Sequence, residues 1–311
     1  MIGPFIRVLE MSFVPSYIHL HEEGKLNHRI QLLNESLKEC RLCPRGCGIN
    51  RLDGEVGVCR AGSDLMVSSA FPHFGEESPL VGRHGSGTIF LTHCNLRCAF
   101  CQNSDISHLG TGERITSSDL ARVMLRLQGM GCHNINFVTP TQYAPQIVSS
   151  LPEAIEKGLR LPIVYNCSGY ESLEVIQLLE GVVDIYMPDV KYLDEKYAKQ
   201  FSNALDYPEV VKQVLKEMHG QVGDLKMDSK GIAEKGLLIR HLVMPNGVAS
   251  SEAVLKFIAE EISVDSYVNV MDQYRPEYRA NEYPEINRRI TQKEFLEATQ
   301  WAKGFHLYRG F

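Results

Sequence analysis

The sequence predicts an α/β protein built around a parallel sheet, and two observations carry that expectation. Six short β-branched or apolar runs, at 88–94, 134–140, 162–169, 182–190, 237–245 and 266–274, alternate with longer runs of helical periodicity, which is the pattern of βαβ units. The strand runs are also nearly unbroken in hydrophobicity, as expected when both faces of a strand are covered. Right-handed crossovers wind such units either into an open doubly wound sheet or into a barrel. Periodicity alone does not separate the two, and six units without a clear reversal of order fit a partial barrel. The length of 311 residues suits one large domain of about 250 residues with an appendage.

Taken in order, residues 25–39 (KLNHRIQLLNESLKE) read as an amphipathic helix with Ile30, Leu33 and Leu37 on one stripe. The helix leads into CRLCPRGCGINRLDGEVGVCRAG, rich in Gly, Arg and Cys and without periodicity. Such a segment builds no core of its own and needs a metal, or a larger domain to dock against. A glycine-rich stretch (82–87) then precedes the first strand. The helical run 117–131 offers Ser117 or Ser118 as N-cap. The next, 144–158, contains Pro152, which predicts an interrupted helix. Further helices are expected at 171–181, 207–220, 250–262 and 291–305. The segment 223–236 (GDLKMDSKGIAEKG) reads as a polar, turn-rich insertion. The chain therefore divides into a helical and Cys-rich metal-binding extension, 1–82, and a barrel unit, 83–311.

With 44% hydrophobic and 23% charged residues the composition is that of an ordinary globular protein. The balance of 38 acidic against 32 basic residues gives no support for phosphate-backbone binding, so no nucleic-acid partner is expected. No apolar run approaches the ~18 residues that span a bilayer, so no membrane partner is expected either. The N-terminal stretch carries Glu10 and Pro15 where a signal peptide needs a continuous apolar region. A cytoplasmic location follows as the expectation. Nine cysteines are then unusual, because a reducing compartment does not use them for disulfides.

Their spacing is informative. Cys94, Cys98 and Cys101 form one knot, and Cys40, Cys43, Cys47 and Cys59 form another; gaps of this kind are metal-ligand spacing. The first knot lies at the C-terminal end of a strand, where α/β and barrel folds place their chemistry. Three thiolates on a cubane leave one iron open, which signals substrate binding. The alternative is zinc with His93 or His108 as fourth ligand. Four thiolates make a closed site, either structural zinc or a second 4Fe–4S cluster, and Arg41, Arg45, Arg51 and Arg60 suit the negative charge of the latter. Cys132 reads as a packing residue, and Cys167 as a buried structural cysteine or a redox thiol. His241 reads as a barrel-lining residue or a satisfied core histidine. Gln273, Tyr274 and Arg275 read as facing substrate or cofactor, with a plain barrel-mouth aromatic as the alternative for Tyr274.

Cys94-x3-Cys98-Ala99-Phe100-Cys101 resembles the signature of the radical S-adenosylmethionine (SAM) enzymes, aromatic residue included. The Cys-rich segment, FGEESPLVGRHGSGTIFLTHCNLRCAFCQN, NINFVTPTQYAPQI, YNCSGYE, DIYMPDVKY, RHLVMPN and MDQYRPEYRA extend the likeness over about residues 30–300. Together they resemble an uncharacterised branch related to the pyruvate formate-lyase activating enzyme. The resemblance implies a partial (β/α)6 TIM-type barrel and a 4Fe–4S cluster on Cys94, Cys98 and Cys101. The open iron would take the amine and carboxylate of SAM, whose reductive cleavage yields a 5′-deoxyadenosyl radical that abstracts hydrogen from a substrate.

The same resemblance implies the cofactor contacts. Phe100 would lie beside the cluster. Thr139 and Thr141 stand where activating enzymes carry the Gly-Gly-Glu turn that grips the amine of SAM. Asp189 and Lys191 match their Asp-x-Lys, with Lys191 facing the SAM carboxylate. Arg240 matches their carboxylate-region arginine, and Asn166 and Ser168 stand where ribose or carboxylate contacts are placed. Reduced flavodoxin or ferredoxin would be the electron donor. The expected reaction is hydrogen abstraction, with a glycyl residue of a protein or peptide as the favoured substrate, since the tail 275–311 is short for a lid. The alternatives are a small metabolite or nucleoside, or a non-catalytic iron–sulfur electron-transfer or sensing protein.

Overall fold

The computed structural model describes residues 13–310; Glu10, weighed above against a signal peptide, lies outside them. Among the described residues there are nine strands: β1 (Leu65–His73), β2 (Ser86–Leu91), β3 (Glu113–Ile115), β4 (Ile135–Val138), β5 (Ile163–Cys167), β6 (Ile185–Pro188), β7 (Lys226–Met227), β8 (Ala233–Leu242) and β9 (Tyr267–Met271). β2, β4, β5, β6, β8 and β9 pair in that sequence and all in parallel. These are the six strands expected from the alternation of runs. Their spatial order follows the chain without reversal. A doubly wound sheet reverses at its switch point, so this sheet is singly wound, a partial barrel. Asn269 Nδ2 on β9 donates to Glu77 Oε1 at 3.0 Å, a side-chain bridge from the last parallel strand to the turn before β2.

Three strands escaped the sequence pattern. β1 runs antiparallel to β2 and widens the first edge of the sheet; its serines and Pro72 interrupt the apolar run that would have marked it. β3 adds beside β1, and β7 forms a hairpin with the start of β8 inside the expected insertion. Asp228 Oδ1 closes that turn by accepting from the backbone N–H groups of Lys230 and Ile232, both at 2.8 Å.

Two local expectations need correction. The helix Ser117–Gly129 is capped by Thr116, not by Ser117 or Ser118. Thr116 Oγ1 accepts from the Asp119 N–H, and Asp119 Oδ2 accepts from the Thr116 N–H at 2.9 Å, a reciprocal box that neither serine can form. The helix Ala144–Glu156 runs through Pro152 without a break. A mid-helix proline costs about 3 kcal/mol, whereas each fully buried aliphatic side chain contributes about 1.5–3 kcal/mol. Ile147, Val148, Leu151 and Ile155 all lie buried on this helix, so packing outweighs the lost hydrogen bond.

The N-terminal segment docks on the helical layer. Ser16 N donates to Asp184 Oδ1 at 2.8 Å, Tyr17 Oη to the Leu161 carbonyl at 2.8 Å, and Asn34 Nδ2 to Ser149 Oγ at 3.0 Å. A small core of Val164, Ile185, Met187 and Leu238 fills the barrel toward the N-terminal ends of its strands. Chemistry is left to the opposite mouth. Among the described residues, no helix is long and apolar enough to cross a membrane.

Candidate active site

Six segments that leave the C-terminal ends of the parallel strands meet around a cavity of about 260 Å³. Cys94, Cys98, Phe100 and Cys101 form one wall. Val138 ends β4 and Thr139 follows it, Cys167 ends β5 and Ser168 follows it, and Asp189 and Lys191 follow β6. Arg240 and Leu242 come from β8, Met271 ends β9, and Gln273 follows it. The period of two explains the selection on β8: Arg240 and Leu242 face the cavity, while His241 between them turns to the helices.

Two of the thiols are pushed up by their surroundings. Burial, together with the charges of Cys98 and Cys101, pushes Cys94 up to about 12. Burial likewise raises Cys98, against the pull of the Lys191 ammonium. Such thiols ionise when a metal takes the place of the proton. Two hydroxyls support them. Ser202 Oγ donates to Cys98 Sγ at 3.3 Å with Tyr192 Oη behind it, and Ser107 Oγ sits 3.0 Å from Cys101 Sγ and 2.9 Å from His108 Nδ1. Ser202 and Ser107 were invisible in the sequence pattern, and the helix Glu195–Ser202 that supplies the former was not expected.

Opposite the thiols lies a charged network. Asp189 accepts from Lys191 Nζ and from Arg240 Nε, both at 2.8 Å, and Arg240 Nη2 donates to Asn166 Oδ1 at 2.7 Å. Glu76 and Glu77 reach Arg240 Nη1 from beneath at 3.7 and 3.9 Å. Burial alone would raise Asp189; the Arg240 guanidinium and Lys191 ammonium overcome it and hold the carboxyl below the usual range. Asn166 Oδ1 is occupied, so its amide N–H₂ is the free end. Ser168 Oγ is buried and has no partner among the described residues.

Thr139 and Thr141 part company. Thr139 adopts a positive φ of 60° and lines the cavity. Its carbonyl accepts from Gln142 Nε2 at 2.8 Å, which leaves the hydroxyl as its open acceptor. Thr141 does not line the cavity; its Oγ1 donates to Glu171 Oε1 at 2.9 Å. Glu171 also accepts from Tyr165 Oη at 3.2 Å, and burial pushes its carboxyl up to about 7.

Cys40, Cys43, Cys47 and Cys59 gather into one group, in which burial and the neighbouring cysteines' charges push the Cys43 and Cys59 thiols up. Gly57 makes room for it, because a Cβ there would stand 2.7 Å from Cys47 Sγ. Among the described residues, no three His, Cys, Asp or Glu side chains stand at the spacing that one bound ion requires. Two arginines tie this knot to the barrel. Arg45 donates to the carbonyls of Asn95, Leu96 and Ser202 at 2.7–3.1 Å, and lies over the Tyr170 ring at 5.1 Å. Arg51, 1% exposed, donates to the carbonyls of Gly62 and Gln142.

The remaining candidates divide. Phe100 packs edge-on against Phe201 and Tyr274. Tyr274 is buried with its hydroxyl on the Ile286 carbonyl at 2.7 Å, and Arg275 turns out to pair with Glu277. Only Gln273 of that trio faces the cavity. Cys167 lines it, and Cys132 is buried in the core. His108 lines the cavity, whereas His93 does not.

His241 points away, between the Val190 carbonyl at 2.7 Å and Ser251 Oγ at 2.8 Å. Burial lowers its imidazole to about 4, from an ordinary 6.5. The folded state then binds fewer protons than the unfolded chain, so this stability is present above pH 6.5 and lost as pH falls toward 4. The shift corresponds to about 3 kcal/mol. Urea midpoints measured from pH 7 to 4 should show wild type losing that much more than His241→Gln; parallel curves would contradict it.

The sequence profile of the Radical SAM superfamily matches residues 88–223, from β2 through the helix Tyr207–Val222. An uncharacterized protein of Methanocaldococcus jannaschii is 33% identical over 292 residues, covering 91% of this chain and 79% of that relative. The chain belongs to the radical SAM superfamily. Membership implies an enzyme that uses a 4Fe–4S cluster and SAM. The radical SAM cavity fits both groups: buried thiols offer soft donors on one wall, and unpartnered Ser168 Oγ with the Lys191 and Arg240 cations offers polar contacts on the other.

Proposed function

We propose that this radical SAM enzyme abstracts hydrogen from a glycyl residue of a protein or peptide, in the manner of glycyl-radical activating enzymes. The observation that supports a large substrate is the course of the chain after β9. Helix Gln292–Gly304 packs outside the barrel, against helix Ser251–Phe257, and Arg309 returns to the Tyr267 end of β9, away from the mouth.

In this reading Cys94, Cys98 and Cys101 hold the cluster, beside Phe100. Thr139 Oγ1 accepts from the ammonium of SAM, and Lys191 meets its carboxylate, with Asp189 and Arg240 orienting that lysine. Asn166 and Ser168 supply polar contacts at the end of β5, and Thr141 acts at one remove by holding Glu171. When bound, the two groups together supply the one-electron chemistry that opens a carbon–hydrogen bond. The residues around them keep the site dry and keep Lys191 protonated: burial lowers it most, but the Asp189 carboxylate and the Cys98 charge together outweigh that and raise it. Residues 1–82 form a metal-binding extension to the barrel of 83–311. Its four cysteines take a second 4Fe–4S cluster in preference to zinc, supported by Arg45 and Arg51 against the knot. Reduced flavodoxin or ferredoxin is the electron donor.

Anaerobically reconstituted protein given dithionite and SAM should release 5′-deoxyadenosine, and Cys98→Ala should release none. A peptide with α-deuterated glycine should pass deuterium into that product; transfer from a metabolite or nucleoside instead would move the assignment to that class. No product above the Cys98→Ala control would leave the non-catalytic reading. Iron near four per chain, the stoichiometry of a cubane, should remain in the Cys94/Cys98/Cys101→Ala triple variant. Residual zinc without sulfide would refute the second cluster.

A further inference from the structure

The loop from Cys94 to Cys101 is a wall with a recess on either side. Cys94, Cys98 and Phe100 line the cavity, whereas Arg97 and Ala99 line a second recess, also of about 260 Å³. The Cys-rich knot and the C-terminal segment complete that recess with Arg45 and Val58 on one side and Tyr278 and Arg279 on the other. Three arginines thus converge where no carboxylate side chain lines the surface. Arg279 pairs with Glu282 at 2.6 Å. Arg45 is held by backbone carbonyls, which leave its charge uncompensated, and Arg97 Nη1, itself buried behind the wall, has no hydrogen-bond partner among the described residues. The rim is apolar, with Val58 45% and Tyr278 43% exposed.

We propose that this recess is the docking site of a small acidic electron carrier of the flavodoxin type. The inference rests on the radical SAM reading above and names where its reductant binds. One electron leaves the carrier, which is oxidised, and arrives at the cluster held by the three thiolates; no bond forms and no proton moves. A carrier seated here is separated from those thiolates by a single loop backbone. Transient redox encounters are small and charge-steered. The chain as a whole carries a charge of −6, so an acidic carrier is repelled elsewhere and drawn to this basic recess.

The test uses the reconstituted protein, an acidic flavodoxin and the double variant Val58→Glu/Arg279→Glu. Binding of oxidised flavodoxin at low salt should weaken at least tenfold in the variant. The rate of bleaching of the iron–sulfur absorbance by reduced flavodoxin should fall by a similar factor. Dithionite, which needs no docking site, should reduce both proteins equally. Wild-type binding should also weaken steeply as salt rises from about 0.05 to 0.5 M. Unchanged affinity in the variant, or binding indifferent to salt, would overturn the proposal. So would inorganic phosphate binding in the recess where flavodoxin does not bind. Dithionite-driven 5′-deoxyadenosine formation separates the two ideas: its presence with failed docking sinks only the docking site, and its absence sinks the enzyme reading.

Discussion

Asp189→Ala should be the most damaging single substitution at the cavity. It leaves Lys191 and Arg240, both nearly buried, facing each other without the carboxylate that accepts from each at 2.8 Å. Removing one partner of a buried ion pair costs about 3–5 kcal/mol. Arg240 keeps Asn166 and the more distant Glu76 and Glu77, so about 3 kcal/mol is the expected loss. The effect on turnover is larger, because the lysine loses its orientation, and misplacement by about 1 Å can cost on the order of a hundredfold. Asp189→Asn should recover part of the stability and little of the SAM affinity. Urea melts and SAM-binding calorimetry on both variants check this; an alanine variant that melts and binds SAM like wild type would remove Asp189 from its assigned place.

Arg51→Ala should destabilise the protein by a similar amount from the other side of the site. The guanidinium is buried and donates to the carbonyls of Gly62 and Gln142. Hydrogen bonds from a charged donor contribute about 1.5–3 kcal/mol each, so losing the two acceptors' partner costs about 3–5 kcal/mol. The consequence reaches the cysteine loop through Gln142, whose Nε2 donates to the carbonyls of Thr92, His93 and Thr139 at 2.8–3.2 Å. The variant should melt earlier and retain less iron than wild type after anaerobic reconstitution and desalting. Arg51→Lys should rescue only partly, since a point charge does not reproduce the planar fork. Wild-type melting and iron retention in the alanine variant would show that the brace is dispensable.

Much of the site was legible because its signals are local. The cysteine gaps and the apolar run of β2 sit within fifteen residues of one another, and the strand-end position of Cys94 follows from those two alone. Asp189 and Lys191 likewise follow β6 directly. The failures have the opposite character. Thr141 is two residues from Thr139, but the 3-10 turn Thr141–Tyr143 carries its hydroxyl to Glu171, thirty residues on. His241 is no such failure: of the two readings left open, strand parity selects the satisfied core histidine and sends it to the helical layer. Pro152 broke a local rule that burial of a whole helix face overrode. β1 hid behind serines and a proline; Pro72 lies beyond the Leu65–Val67 stretch that pairs with β3, where the strand has an open side that tolerates proline.

By itself, then, the sequence determined the six parallel strands, the two thiol groups and the family, since each depends on periodicity or spacing within one segment. The tertiary structure decided the winding, the facing of individual polar side chains and the partners of Arg45, Arg51 and Ser202. Those outcomes depend on contacts between segments from eleven to more than one hundred and fifty residues apart. A charged or hydroxyl side chain takes its role from whatever acceptor the folded chain brings within 3 Å, and no local pattern records that.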